Sequence, residues 1–329
     1  MDLTDYLPTE INISTNSTHK LLALATNNII NLRYITPVSN QTNLIVGKRI
    51  HNFKIPRNVS SNFRVLGLLQ AEMSKGKNNG KIQFVNSEPE ILKLVIDWFK
   101  EFGLQIRDWK WRITINKKLN YDKEMEIKIK EFWKRQTYFL DENFKGIRYS
   151  EFEGSMLKNT SIWGSVTIEA GNTILRGLIV GVLDKVFNNL VNLSDKEKLE
   201  FLDGFCSGES CINRRRIITA VKDDKKRTNI KNIMTSLNID MDKEWPSRGA
   251  YSIVASGFSD LFKIYKYRIC RTHPEKWLRV LNDLLSIQRF DRNARPLKNE
   301  FLMMKKQIQL ESIEIKEYLE KRKSEFHEA

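Results

Sequence analysis

Two spacings of apolar side chains alternate along this chain, one of period two and one of the helical i, i+3, i+4 kind. Lys81-Ile82-Gln83-Phe84-Val85-Asn86-Ser87 predicts a strand, and Ile91, Leu92, Val95, Ile96 and Phe99 then predict a helix starting near Glu88. Trp109 to Asn116 alternates strictly and predicts a second strand. A helical stretch over 121–136, a polar stretch over 141–161, a strand over 162–169 and an apolar helix over 173–190 follow. The order then begins again. Ser194-Asp195-Lys196-Glu197 has the form of a capping box, so a helix should run through Leu199, Leu202 and Phe205 to Glu209. After it come a strand over 214–222, a helix carrying Ile230, Ile233, Met234 and Leu237, a strand over 251–256 and a helix over 274–287.

Both ends stand apart from this order. Residues 1–58 mix β-branched residues with Asn, Thr and Ser, which predicts a small β segment that is partly disordered. The tail over 291–329 spaces Phe301, Met304, Ile308, Ile315 and Tyr318 among charges of both signs, as a long solvated amphipathic helix would. Four segments are therefore expected: 1–58, 59–190, 191–290 and 291–329.

Within that double order lies a short repeat. Gly67-Leu68-Leu69-Gln70-Ala71-Glu72 and Gly204-Phe205-Cys206-Ser207-Gly208-Glu209 each place a glycine four residues before another tiny residue, with glutamate next; the copies lie 137 residues apart throughout. Positions four apart share a helix face, so Gly67 with Ala71 and Gly204 with Gly208 form smooth strips on which helices can pack closely. Packed so, Glu72 and Glu209 become neighbouring carboxylates, whose repulsion calls for a cation.

Both stretches resemble the signature helix of the LAGLIDADG homing endonucleases, and the resemblance covers residues 60 to 290. The departures are Met73 and Ser210, where the family usually has glycine, and Gln70 and Ser207 at a position usually acidic or polar. The resemblance implies an α+β fold of two pseudo-symmetric half-domains, each with an antiparallel or mixed sheet forming a saddle for DNA. It implies that Glu72 and Glu209 are the catalytic acids and hold Mg²⁺, with Mn²⁺ as a substitute and the carbonyls of Ala71 and Gly208 completing the shell. The expected activity is that of a monomeric, metal-dependent, site-specific endonuclease, which cuts double-stranded DNA at a long non-palindromic site during intron homing. The alternatives are a non-cleaving DNA-binding regulator, or a maturase that uses the same scaffold to bind intron RNA.

Charge suits that reading. The formal net charge is +15, of which residues 1–60 carry +3 and residues 291–329 carry +1, leaving +11 in the repeated region. Strand side chains alternate, so Lys81, Gln83 and Val85, or Arg112, Thr114 and Asn116, could face a groove. In the second half Arg214, Arg216 and Thr219 come first, then Arg248 and Ser252. Cys206, Cys211 and Cys270 form no Cys-x-x-Cys pair, and His19, His51, His273 and His327 lack zinc-ligand spacing, so reduced thiols and no structural zinc are expected. No stretch is long and apolar enough to span a membrane, and the chain lacks a signal-peptide profile. A free-standing cytoplasmic protein is expected, or an organellar one if the gene is organelle-encoded.

Overall fold

Alternating residues 82–86 and 109–116 bury one row of side chains each: Ile82 and Phe84 on the first strand, Trp109, Trp111, Ile113 and Ile115 on the second. A computed structural model describes residues 2–14, 17–38, 47–59, 62–75, 80–151, 162–241, 243–247, 250–288, 290 and 295–328, and its class is α+β. The described chain divides into two units, one of residues 1–62, 73–120 and 133–188, the other of residues 63–72, 121–132 and 189–329.

The first unit holds two sheets. Strands β1 (Glu10–Ser14), β2 (Ser17–Ala25), β3 (Ile29–Val38) and β4 (Gly47–Pro56) form an antiparallel sheet in chain order. Its base is tied by Asp2, whose carboxylate accepts from Arg57 Nε at 2.7 Å. The second sheet takes β5 (Ile82–Asn86), β6 (Trp109–Asn116), β7 (Phe144–Ser150) and β8 (Ser165–Ala170) in the order β5-β8-β6-β7, with β6 and β7 parallel. Helices α2 (Pro89–Lys100) and α4 (Thr173–Asn188) belong here, and α3 (Lys123–Thr137) passes from one unit to the other. Phe99 of α2 meets Trp109 edge-on at 5.5 Å, so an aromatic pair stands at the centre of the buried row. Gly164 precedes β8 at φ +72, and a Cβ there would lie 2.5 Å from the Thr114 carbonyl, so glycine is required on two counts.

In the second unit α1 (Asn62–Glu72) accompanies α5 (Asp195–Glu209), β9 (Ser210–Asn213), β10 (Arg216–Val221), α6 (Asp224–Ser236), β11 (Lys243–Ser247), β12 (Ala250–Ser256), α7 (Phe258–Lys266), α8 (Pro274–Leu285) and α9 (Arg295–His327). The sheet order is β11-β12-β10-β9, antiparallel throughout. Core aromatics interlock, with Phe258 and Phe262 stacked at 5.6 Å and both edge-on to Phe301 of α9.

Four elements escape the periodicity. Strand β7 lies in the stretch expected to be merely polar, because none of its residues is fully buried and an apolar row never develops. Strand β9 follows α5 without a break, β11 carries Pro246 at the sheet edge where a missing donor is tolerated, and α7 spans only nine residues.

Candidate active site

The site begins with the start of α5. Ser194 caps the helix by accepting from Glu197 N at 3.4 Å, and the Glu197 carboxylate accepts from Ser194 N at 2.9 Å, the reciprocal pair expected of the capping box. Phase is thereby set, and the glycines meet α1. A Cβ on Gly204 would lie 1.9 Å from the Arg64 carbonyl oxygen; one on Gly67 would lie 2.2 Å from that of Phe201. Backbone therefore touches backbone along this seam. One turn on, a Cβ on Gly208 would lie 2.5 Å from the Ala71 Cβ and 3.6 Å from the Glu72 carboxylate, so all four small residues of the repeat lie in one interface.

The seam delivers the acids. Glu72 closes α1 and Glu209 closes α5, the first half-buried and the second exposed. Burial pushes the Glu72 carboxyl up to about 7; Lys276 opposes the shift and the charge of Glu209 adds to it. The two carboxylates thus feel each other across the glycine seam.

A third charged group completes the cluster. Lys276, in the first turn of α8, is half-buried with its ammonium donating to the carbonyls of Ser207 at 2.5 Å, Gly208 at 2.8 Å and Cys206 at 3.4 Å. A cation at these last carbonyls complements the negative end of the α5 dipole, and burial of its ammonium holds the Lys276 pKa below its ordinary value. Sequence reasoning missed this residue. One signal existed, since a lysine three residues beyond His273 sits at the positive end of its own helix, where acids are the favoured type. Below the acids, buried Asp203 accepts from Thr272 N at 3.0 Å and from its hydroxyl at 2.7 Å, and pairs with Arg64 Nε at 2.8 Å, which ties α5 to α1 and to the chain ahead of α8.

The described residues contain no group of three or more His, Cys, Asp or Glu able to hold a metal ion. Two carboxylates, one destabilised by burial and by its neighbour, still fit a hard divalent cation that draws its remaining ligands from water and phosphate oxygen, as Mg²⁺ commonly does. The Gly208 carbonyl assigned to the metal shell already accepts from Lys276.

The basic positions sort by strand phase. On β6, Lys110 and Arg112 are exposed and Thr114 half-buried, and a shallow hollow beside them is lined by Lys110, Trp111, Arg112, Lys145, Thr167 and Glu169. Lys110 and Lys145 are additions to the expected set. Lys81 and Gln83 lie on β5 and its approach, and both reach across to Glu169, at 2.9 and 3.4 Å. Asn116 is a correction. It is fully buried and its side chain caps the turn after β6 by accepting from Lys118 N at 3.0 Å, so it presents nothing to a groove. Thr219 is another, because odd positions of β10 point inward and its hydroxyl shares a 2.6 Å hydrogen bond with Ser210. Ser252 is buried too. Arg214 and Arg216 are exposed at the tip of the β9–β10 hairpin, where Arg214 and Arg215 both have positive φ, at 48° and 62°. Arg215 holds that turn against α8, its N–H donating to Asp283 at 2.7 Å and its guanidinium to the Ser286 carbonyl at 2.9 Å. Arg248 lies outside the described residues.

Among the described residues no helix is long and apolar enough to cross a membrane. No family model matches this chain, and no curated protein matches it. Solved structures do show similarity. Mesophilic variants of the homing endonuclease I-DmoI share 11% identity at a TM-score of 0.39, over 64% of this chain and 95% of theirs. I-DmoI in complex with DNA and Mn shares 12% at 0.39, over 64% and 96%. The same protein in complex with DNA and Ca shares 11% at 0.36, over 73% and 97%.

Proposed function

We propose that this chain is a metal-dependent endonuclease of the LAGLIDADG homing type that cuts double-stranded DNA at a long, non-palindromic site. The observation that carries the reading is the glycine seam, which brings the two repeated glutamates to one place and leaves Glu72 with a carboxyl pushed up to about 7. Residues 59–190 and 191–290 are read as diverged copies of one half-domain, so a single chain supplies both acids and needs no second copy for the cleavage itself. Glu72 and Glu209 would hold Mg²⁺, with Mn²⁺ as a substitute. Such an ion, when bound, supplies charge stabilisation at the phosphate and an activated water. The chain's own groups do the rest: the seam fixes the carboxylates, Lys276 holds the end of α5, and exposed Lys110, Arg112, Arg214 and Arg216 supply phosphate contacts. The proposed location is cytoplasmic, or organellar for an organelle-encoded gene.

The test is selection from a pool of randomised duplexes followed by assay of the recovered site. Cleavage is expected in Mg²⁺, with negligible cleavage in EDTA or Ca²⁺ and binding that persists in Ca²⁺, which fills an oxygen site but supports this chemistry poorly. Full cleavage in chelator would refute the two-carboxylate mechanism. A second reading, a regulator or an intron-RNA maturase on the same scaffold, draws on Lys276, whose ammonium beside Glu72 gives a non-cleaving protein a built-in counter-charge for its acids. Specific binding without cutting in any divalent metal would favour it.

Replacing Arg214 and Arg216 together with alanine should weaken duplex binding and flatten its salt dependence. Each lost phosphate contact lowers the slope of log K against log salt by about one. Titrations at several salt concentrations check this, and an unchanged slope would move the DNA face elsewhere.

A further inference from the structure

Helix α9 has two apolar faces, and the body of the protein covers only one. Phe301, Ile308, Ser312, Leu319, Arg322 and Phe326 are buried. On the opposite side Leu302, Met303, Leu310 and Ile313 are 49%, 78%, 53% and 53% exposed and, with exposed Lys306 among them, line about three turns of helix. A contiguous apolar stripe on a solvated helix face offers a surface that a partner can cover.

Charge on the same helix selects the partner. Residues 298–309 carry Lys298, Lys305 and Lys306 against Glu300, a net +2, whereas residues 310–320 carry Glu311, Glu314, Glu317 and Glu320 against Lys316, a net −3. Glu300 is engaged by Lys266 at 2.7 Å and Glu311 by Trp277 Nε1 at 2.9 Å, so toward an incoming surface the first half presents its lysines and the second presents Glu314, Glu317 and Glu320 beside Lys316. Over residues 298–320, ahead of the basic end at Lys321 to Lys323, a basic stretch precedes an acidic one, and such a segment complements itself when reversed. We infer that a second copy of this chain docks here, through antiparallel pairing of α9 with α9. With Met303 laid over Ile313 of the other copy, Lys306 falls opposite Leu310 of that copy and one turn from its Glu314, and the arrangement repeats about the twofold axis. Parallel pairing would set Lys306 on Lys306 and Glu314 on Glu314. Four apolar residues a side make a small interface, so the association is weak and reversible.

Sedimentation velocity on the full chain, without DNA and at physiological ionic strength, tests this. A dimer half formed at roughly 100 µM chain is expected. Leu310→Glu with Ile313→Glu should leave a folded monomer, since both positions face solvent and circular dichroism should not change. Lys306→Glu alone and Glu314→Lys alone should each weaken the dimer, and the two together should restore it. In a Cys211→Ser background, oxidised mixtures of Met303→Cys and Ile313→Cys chains should cross-link to each other. Cross-links only between identical positions would overturn the antiparallel arrangement, and a wild type that stays monomeric at roughly 300 µM would overturn the inference altogether. So would loss of duplex affinity without change in self-association in the stripe variants, which would make this face a nucleic-acid contact.

Discussion

Glu72→Gln and Glu209→Gln, made singly, are each expected to lower cleavage of a verified duplex at least about a hundredfold, the scale of losing one major electrostatic stabiliser. The amide keeps the shape of the carboxylate, so the glycine seam should stay closed and duplex binding should hold or tighten as repulsion from phosphate falls. Because both acids serve one site, the double variant should be barely worse than either single one. Wild-type cleavage by both variants would remove the acids from the chemistry.

Stability gives an independent readout for Glu72. Its folded carboxyl titrates near 7 against an ordinary 4.5, so between those values the folded protein keeps a proton that the unfolded chain has lost. The contribution of Glu72 to stability of the metal-free protein should therefore fall as pH rises from about 4.5 to about 7 and level off above, and the difference between wild type and Glu72→Gln isolates it. The loss approaches about 3 kcal/mol at roughly 1.36 kcal/mol per unit. Glu72→Gln should abolish most of that slope, and denaturant midpoints at three pH values would show whether it does. Equal slopes for wild type and Glu72→Gln would mean that Glu72 is hydrated like a surface acid, because buried His273, which opposes the trend, and Asp203, which adds to it, contribute alike to both proteins.

Gly204→Ala is expected to destabilise the protein by about 3 kcal/mol or more, an unusual cost for adding one methyl group. The added Cβ would stand 1.9 Å from the Arg64 carbonyl oxygen and 3.0 Å from Leu68 N, and backbone atoms cannot rotate away as a side chain could. The helices must separate, and the ends that carry Glu72 and Glu209 move with them. Gly67→Ala meets the same obstacle from the other side, so the two changes together should cost less than their sum, since one separation relieves both. Gly171→Ala is the control. Nothing lies within 4 Å of a Cβ there, so its midpoint in urea should scarcely move. Equal midpoints for Gly204→Ala and Gly171→Ala would mean that the seam is looser than its geometry states.

What could be read from the residues was mostly what neighbouring residues decide. The caps, the helical spacings over 89–100, 195–209 and 274–285, and the alternation over 109–116 act within a few residues and appear in the structure nearly at their expected bounds. The seam was legible for a related reason: Gly-x-x-x-small says on a single helix that something will lie close, and saying it twice names the partner. Other features depended on contacts between distant segments. Strand β7 became a strand because the parallel edge of β6 supplied hydrogen-bonding partners, although its own side chains are too polar to announce it. Thr219 turned inward because the register of β10 on β9 sets it opposite Ser210, a phase no residue near it specifies. Asn116 was lost to the turn that ends its strand. Lys276 is the clearest case, since 67 residues separate it from Glu209 and only the tertiary fold lays α8 across the carbonyl end of α5. The sequence by itself determined the helices, the seam and the two acids, through local hydrogen bonding and the size of a missing side chain. Only the tertiary structure decided which cation stands beside those acids and which basic residues face outward, because both depend on long-range packing and register.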